Sequence, residues 1–137
     1  MITRLFKTTA ALALAALVFS LAGCADKANP DNVDRRAVER WNFLIARQAE
    51  KAYDYLTPGF QQTQTRENYA AAMNNRPVRW NAVKFNKKTC EAERCKVDVD
   101  VTFSVTVPGS HKATPATSTQ SETWILSKGE WFYLPNS

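Results

Sequence analysis

Residues 95–107 read C-K-V-D-V-D-V-T-F-S-V-T-V, and apolar and polar side chains alternate along the whole stretch. Every second position from Val97 to Val107 is valine or Phe103, and the positions between them are charged or hydroxylated. A period of two is typical of a β-strand with one face buried and the other in water. The sequence therefore predicts a long antiparallel strand whose apolar face is covered by other elements.

Two segments of helical periodicity precede this strand. Residues 33–56 are predicted to form a long helix that Thr57-Pro58-Gly59 ends. A shorter helix is predicted from a cap at Thr65 to the residues before Pro77. The buried face predicted for the long helix consists of Val38, Trp41, Ile45, Ala49, Ala52 and Leu56.

Three further strands are predicted around the central one. The first begins at Val78 and changes parity near Asn81-Ala82, which indicates a β-bulge. The third spans 117–127, after a loop at 108–115, and the last spans 130–134. Because the last strand is apolar on both parities, we expect both faces to be covered or one to be a contact surface, for example in a homodimer.

The first 23 residues have the pattern of a bacterial signal peptide. Arg4 and Lys7 precede an apolar run at 8–21, which is shorter than the roughly 20 residues of a membrane-spanning helix. Residues 21–24, Leu-Ala-Gly-Cys, resemble the lipobox of bacterial lipoproteins, in which the cysteine is lipidated. The resemblance implies lipid attachment at Cys24, and therefore a membrane partner reached through the N-terminal lipid.

The resemblance also implies an address in the cell envelope. Ala25, and not aspartate, follows the cysteine, which favours the outer membrane, with the protein facing the periplasm. Residues 24–32 are then the lipidated N-terminus and tether, and residues 33–137 are one α+β domain. Losing Arg4 and Lys7 from 18 basic residues, against 13 acidic ones, leaves a small positive excess, so no nucleic-acid partner is predicted.

Cys90 and Cys95 flank the turn that joins the first two strands. The four residues between them suit a hairpin loop, and an exported chain folds in an oxidising compartment. A zinc site built on these two cysteines would lack its other ligands. We therefore predict a disulfide between Cys90 and Cys95, and no metal site or cofactor.

Two helices followed by a curved four-stranded antiparallel sheet are similar to the nuclear transport factor 2-like superfamily, a cone-shaped α+β fold. The residues behind the resemblance are 55–60, Tyr-Leu-Thr-Pro-Gly-Phe, and the hairpin 124–133, Trp-Ile-Leu-Ser-Lys-Gly-Glu-Trp-Phe-Tyr. A cystatin-like arrangement explains the strands about as well, but leaves the second helix without a role. The superfamily contains isomerases, dehydratases and hydrolases as well as non-catalytic domains, so the fold alone decides no activity.

The predicted inner face of the central strand has no side chain suited to acid–base catalysis. Enzymes of the superfamily resemble one another in placing Asp, His, Tyr or Arg inside the cone, whereas the central strand presents five valines and Phe103. We therefore predict an apolar cavity and no catalytic site. The candidate pocket residues are Trp41, Tyr53, Tyr55, Tyr69 and Phe103.

Other residues with chemical potential have simpler interpretations. His111, the only histidine, is expected to be exposed in a loop, and Asp98 and Asp100 to be solvated on the polar strand face. The four tryptophans, Trp41, Trp80, Trp124 and Trp131, are expected in the core and not in carbohydrate stacking. A solvated helix side with local ion pairs is expected from Arg36, Arg40, Arg47 and Lys51, since Glu39, Glu50 and Asp54 lie three residues from basic ones.

The sequence thus favours a non-catalytic, lipid-anchored domain that binds or scaffolds an envelope protein or a hydrophobic small molecule. A small isomerase or dehydratase that uses the cone as its pocket is the alternative from another class. A structural module that homodimerises through its terminal strand is the third. An enzyme should show an open cavity with at least two convergent titratable groups, a binder an apolar cavity, and a structural module none.

Overall fold

The computed structural model describes residues 29–136, in which short helices precede a single sheet. The helices are α1 (Val33–Ile45), α2 (Ala49–Ala52), α3 (Pro58–Gln61) and α4 (Arg66–Asn74), with 3-10 turns at Pro30–Asn32 and Tyr53–Tyr55. The strands are β1 (Arg79–Glu91), β2 (Arg94–Thr106), β3 (Ala113–Ser127) and β4 (Glu130–Leu134), all antiparallel in the order β1-β2-β3-β4. The α+β architecture is as predicted.

The predicted signal peptide and Cys24 lie outside the described residues, as does most of the tether. Among residues 29–136, no helix has the length and apolar character needed to cross a bilayer.

The first helix is shorter than predicted, because the chain leaves the helix after Ile45. Arg47 adopts a positive φ of 59°. Its N–H donates to Leu44 O at 3.1 Å, and the N–H of Gln48 donates to Phe43 O at 2.8 Å. This is the Schellman pattern of helix termination, with arginine where glycine is usual. The prediction of one continuous helix over 33–56 is therefore wrong.

The side chain of Arg47 ties this turn to the end of α4. Its guanidinium donates to the backbone carbonyls of Asn74, Arg76 and Val78. These bonds satisfy carbonyls at and beyond the end of α4, which have no partner inside the helix. Arg47 is thus a structural link between two helices and not the solvated residue that was predicted.

The buried face of α1 also differs from the predicted one. Its buried residues are Val33, Ala37, Arg40, Trp41 and Leu44, whereas Val38 and Ile45 are half-buried. The face is turned by about one residue from the predicted face and includes a charged side chain. Arg40 therefore points toward the sheet.

The sheet has four antiparallel strands as predicted, but β3 begins at Ala113, within the predicted loop at 108–115. The register of β1 against β2 shifts between Trp80 and Ala82, where a bulge was predicted, and again between Phe85 and Lys87. Bulges bend a strand and increase its twist, so both contribute to the curvature of the sheet. At the far end of this pair, Cys90 lies opposite Cys95 and the predicted disulfide is present.

The inner face of β2 divides into two halves. The closed half contains Val97, Val99 and Val101, which are at most 1% exposed beneath α1. The open half begins at Phe103, which is half-buried, and continues to Val105, which is 43% exposed. Val107, just beyond the end of the strand, is 60% exposed. The predicted cover of the whole apolar face is therefore correct only for the first half.

Candidate functional site

A cavity of about 400 Å³ lies where α1, α3 and α4 face the inner side of β3 and β4. Aromatic side chains form much of its wall: Trp41, Phe60, Tyr69, Trp80 and Tyr133. Its charged lining residues are Arg40, Arg76 and Glu122. The cavity is therefore not apolar, and that prediction is wrong.

Arg40 and Glu122 form a buried ion pair at this cavity. The residues are 4% and 3% exposed, and Arg40 Nη1 lies 2.7 Å from Glu122 Oε1. Arg40 belongs to α1, and Glu122 lies on β3 opposite Val97 of β2. Two buried charges are tolerated only when each compensates the other and hydrogen bonds complete the arrangement. The pair therefore fixes how the helix sits on the sheet.

Two tryptophans complete the hydrogen bonding of Glu122. Trp41 Nε1 donates to Oε1 at 2.7 Å, and Trp124 Nε1 donates to Oε2 at 3.0 Å. With Arg40, three donors thus hold the two carboxylate oxygens. A general base must reach the proton that it abstracts from a substrate. A carboxylate held by three protein donors is better suited to positioning its neighbours.

The guanidinium of Arg40 also lies against an aromatic face. Its Cζ is 3.9 Å from the centroid of the Tyr133 ring, which is a cation–π contact. Burial, the largest single influence, lowers the pKa of Arg40, but the Glu122 carboxylate and the neighbouring Tyr69 and Tyr133 together raise it above its ordinary value. Arg40 is therefore charged throughout the physiological pH range.

Two buried polar atoms at this site have unused hydrogen-bonding capacity. The Tyr69 hydroxyl oxygen lies close enough to the Arg40 guanidinium to raise its pKa, but within residues 29–136 neither the Tyr69 O–H nor the Arg40 Nε–H has an acceptor of good geometry. Leaving a buried polar group unsatisfied costs about 1–3 kcal/mol. Buried unsatisfied groups are rare in folded proteins, and a bound ligand or water is a common reason for them.

Tyr133 adds a further hydroxyl to the cavity. Burial raises its pKa above the ordinary value for tyrosine, and Glu122 and Tyr69 act in the same direction, whereas Arg40 and Arg76 lower it. The net effect is that the phenol keeps its proton at neutral pH. Tyr133 can therefore donate a hydrogen bond to a molecule in the cavity.

The five candidate pocket residues do not all meet in this cavity. Trp41 and Tyr69 line it, whereas Phe103 is not among its lining residues. Tyr53 is buried, and its hydroxyl donates to two backbone carbonyls of the α3 region. Tyr55 borders a separate surface depression of about 330 Å³. Only the first two belong to a shared site.

Arg40 and Glu122 were not predicted as cavity residues, although their positions in the sequence indicate that they lie on buried faces. Glu122 is two residues before Trp124, so the two side chains share a face of β3. Arg40 is adjacent to Trp41 and three residues after Ala37, within the same helical face. The apolar cavity was predicted from the inward positions of β2, whereas the charged groups of the cavity come from α1, from β3 and from Arg76 beyond α4.

The basic side of the first helix is not a surface of local ion pairs. Arg36 pairs with Glu130 of β4 at 3.0 Å, and Arg40 is buried at the cavity. The acidic residue Asp54 pairs with Arg66 of α4 at 2.6 Å. These charged side chains therefore connect distant parts of the chain, which spacing along one helix could not indicate.

Titratable residues on the outer face of the sheet form hydrogen bonds. Asp98 is 9% exposed and accepts from Ser121 at 2.6 Å, so the prediction that it is solvated is wrong. Asp100 accepts from Thr119 and Asn86, which lower its pKa. His111 is exposed in its loop. Within the described ranges, no cluster of three or more histidine, cysteine or acidic residues could hold a metal ion.

Comparison with known proteins supports the fold. No family model and no curated protein matches the chain. A SEC-C motif containing protein from Rhodopseudomonas palustris is 11% identical with a TM-score of 0.59, covering 80% of this chain and 77% of that one. A Campylobacter jejuni protein provisionally named an NTF2-like transpeptidase, where NTF2 is nuclear transport factor 2, is 14% identical with a TM-score of 0.50, covering 79% and 99%. At such identities the likeness supports the nuclear transport factor 2-like fold and transfers no activity.

Proposed function

We propose that this protein is a lipid-anchored domain of the bacterial cell envelope that binds a small amphipathic molecule in its cone without catalysing a reaction. The observation behind the proposal is a cavity of about 400 Å³ whose wall combines aromatic rings with charged, amide and hydroxyl side chains. Ligand sites in proteins commonly have this size and combine apolar and aromatic surface with polar groups that orient the ligand. The occupant is expected to bury an apolar part against Phe60 and Trp80 and to present hydrogen-bonding groups to the tyrosines.

The hydrogen bonding of Glu122 favours binding over catalysis. Its oxygens already accept from Arg40, Trp41 and Trp124. Freeing the carboxylate to take a proton would leave Arg40 buried beside a neutral group, which is costly. The site therefore supports recognition by shape and hydrogen bonds better than acid–base turnover.

One observation favours the alternative, an isomerase or dehydratase. Glu122, Tyr69 and Tyr133 are titratable groups that converge on one cavity. An experiment can distinguish the two functions: an envelope extract is incubated with the purified protein, and metabolite levels are measured by mass spectrometry. A metabolite consumed by the natural protein, but not by a folded Glu122→Gln variant, would favour the enzyme. Unchanged metabolite levels with both proteins support the binder.

The terminal strand supports a homodimer less well than its composition suggested. Thr57 N–H donates to Tyr133 O at 3.0 Å, and Arg36 Nε donates to Trp131 O at 2.8 Å. Leu56 also forms a bridge with Tyr133. The outer edge of β4 is therefore partly paired within the chain, and addition of a second copy at that edge would have to displace these contacts.

The anchor is supported by the signal-peptide pattern and by the lipobox at residues 21–24. Expression in a bacterium should yield an acylated protein that partitions into detergent, with the lipid mass on Cys24. The Cys24→Ala variant should carry no lipid. A variant with Cys90 and Cys95 both changed to alanine is the matched control and should remain acylated. Acylation that persists without Cys24 would refute the anchor.

The pocket is tested with N-phenyl-1-naphthylamine, a neutral dye that fluoresces in apolar sites. Ala72 and Ala71 are both exposed neighbours on α4, but only Ala72 lines the cavity. Ala72→Trp should fill the opening and abolish the fluorescence increase, whereas Ala71→Trp should leave it intact. Equal dye binding by the two variants would show that the dye binds elsewhere and would contradict the proposal.

A further inference from the structure

The charge of the cavity points to the chemistry of its ligand. Arg40 is neutralised by Glu122, but Arg76 lies just beyond α4 with an exposed side chain. No ion pair formed in the described part of the chain includes Arg76. The charged side chains in the described lining therefore sum to a positive charge, which favours an anion.

The hydroxyl groups of the cavity can bind the same anion. Tyr133 is electrostatically close to both Arg76 and Tyr69. The Tyr69 hydroxyl lies beside Arg40, and its O–H has no acceptor among residues 29–136, on a side chain that is 6% exposed. Hydroxyl donors and a guanidinium together suit an acceptor with two oxygens, such as a carboxylate.

The aromatic wall of the cavity indicates that the rest of the ligand is apolar. Trp80 lies edge-on to Trp41 with ring centroids 5.6 Å apart, and Phe60 lies edge-on to Tyr69 at 6.5 Å. Met73 adds a flexible apolar side chain to the same lining. Such a wall favours a ligand with an aromatic ring over a polar, strongly hydrated ligand, because aromatic rings pack edge-to-face or offset against one another.

We propose that the cavity selects a small aromatic monocarboxylate, whose carboxylate lies at Arg76 and accepts from the hydroxyls of Tyr69 and Tyr133. Its ring packs against Trp80 and Phe60. The proposal rests on the binding function proposed above and adds the ligand class.

The test compares 4-phenylbutyrate with the neutral 4-phenylbutyramide by isothermal titration calorimetry on the full-length purified protein. The carboxylate should bind about tenfold more tightly, since a charge-assisted hydrogen bond to arginine is stronger than a neutral one. Arg76→Gln should remove this preference and leave amide binding nearly unchanged. Arg79→Gln is the matched control, because Arg79 is exposed and lies outside the cavity lining.

The phenol is tested separately with Tyr69→Phe, which keeps the ring. This variant should weaken both compounds by about fivefold, since each has an acceptor oxygen. Tyr55→Phe should have no effect, because Tyr55 borders the other depression. Unchanged binding in Tyr69→Phe would show that water alone satisfies this hydroxyl and would overturn its role.

The outcomes separate this inference from the function on which it rests. If the carboxylate and the amide bind equally, or Arg76→Gln has no effect, the ligand class is wrong. Dye binding that is still blocked by Ala72→Trp would then keep the pocket function intact. If neither phenyl compound nor the dye binds, the proposed function itself fails.

Discussion

The closed and open halves of β2 share the same alternation of apolar and polar residues, but their apolar side chains differ in exposure. Val97, Val99 and Val101 are at most 1% exposed, whereas Val105, on the same face of the same strand, is 43% exposed, and Val107, just after the strand, is 60% exposed. The two halves differ in what packs on them, because α1 packs on the closed half and ends at Ile45. Alternation therefore identifies one face of a strand, and only the packing of other elements decides whether that face is buried.

The closed half is also where the charged pair lies. Glu122 is the β3 neighbour of Val97, and Arg40 reaches it from α1. The inner face of β2 is apolar in this half, but the neighbouring elements α1 and β3 place a charged pair beside it. Substitutions in the two halves should therefore differ in their effect on stability, and substitution of the charged pair should have the largest effect.

The largest effect is expected from Glu122→Ala. This change leaves Arg40 buried without its counter-charge and removes the acceptor of Trp41 and Trp124. Breaking a buried ion pair from one side costs about 3–5 kcal/mol of unfolding free energy. Urea denaturation measures the loss, and Glu91→Ala, at an exposed position of β1, should stay within about 0.5 kcal/mol of the natural protein.

A double variant shows whether the pair stabilises the fold or only avoids a penalty. Arg40→Met with Glu122→Gln removes both charges and keeps one of the two oxygens that accept from Trp41 and Trp124. It should recover most of the stability lost in Glu122→Ala, because apolar or neutral replacements of buried ion pairs are often well tolerated. A double variant as unstable as Glu122→Ala would show that the attraction itself is essential.

A medium effect is expected from the same truncation made in each half of β2. Val99→Ala removes two buried methyl groups and should lower the unfolding free energy by about 1.5–3 kcal/mol. Val105→Ala, on the same face of the open half, should change it by less than about 0.5 kcal/mol. Equal losses of unfolding free energy in the two variants would mean that the open half is covered in solution, for instance by a second copy of the chain. Measuring the molecular mass in solution would then show whether the protein is a dimer.

The smallest effect is expected at Asp100, on the outer face of β2 between Val99 and Val101. Its pKa is lowered first by the hydrogen bond from Thr119 and then by that from Asn86. A carboxyl whose pKa is lower in the folded chain than in the unfolded chain stabilises the fold fully above the unfolded value, about 3.9, and loses this contribution as the pH falls through the folded value.

Denaturation midpoints of Asp100→Asn and the natural protein should therefore differ at neutral pH and converge in acid. Urea unfolding between about pH 6 and about pH 2 measures this convergence. A difference that is independent of pH would show that the substitution acts through packing and not through the carboxylate.

Much of the fold was predictable because its signals are local. Thr65 caps α4 as expected, with its side chain accepting from Asn68 N–H at 3.3 Å. The bulge near Asn81 and the Cys90–Cys95 disulfide are also present. Each depends on residues close together in the chain, so composition and spacing within one segment were sufficient.

The sequence alone thus determined the order of the elements and the alternating face of β2. Only the tertiary structure decided where α1 ends, since a positive φ at Arg47 accompanies contacts with the distant end of α4. It also decided the chemistry of the cavity, because Arg40 and Glu122 are 82 residues apart in sequence and 2.7 Å apart in space. A buried charge is stable only beside its partner, and no pattern within a single element shows where that partner lies.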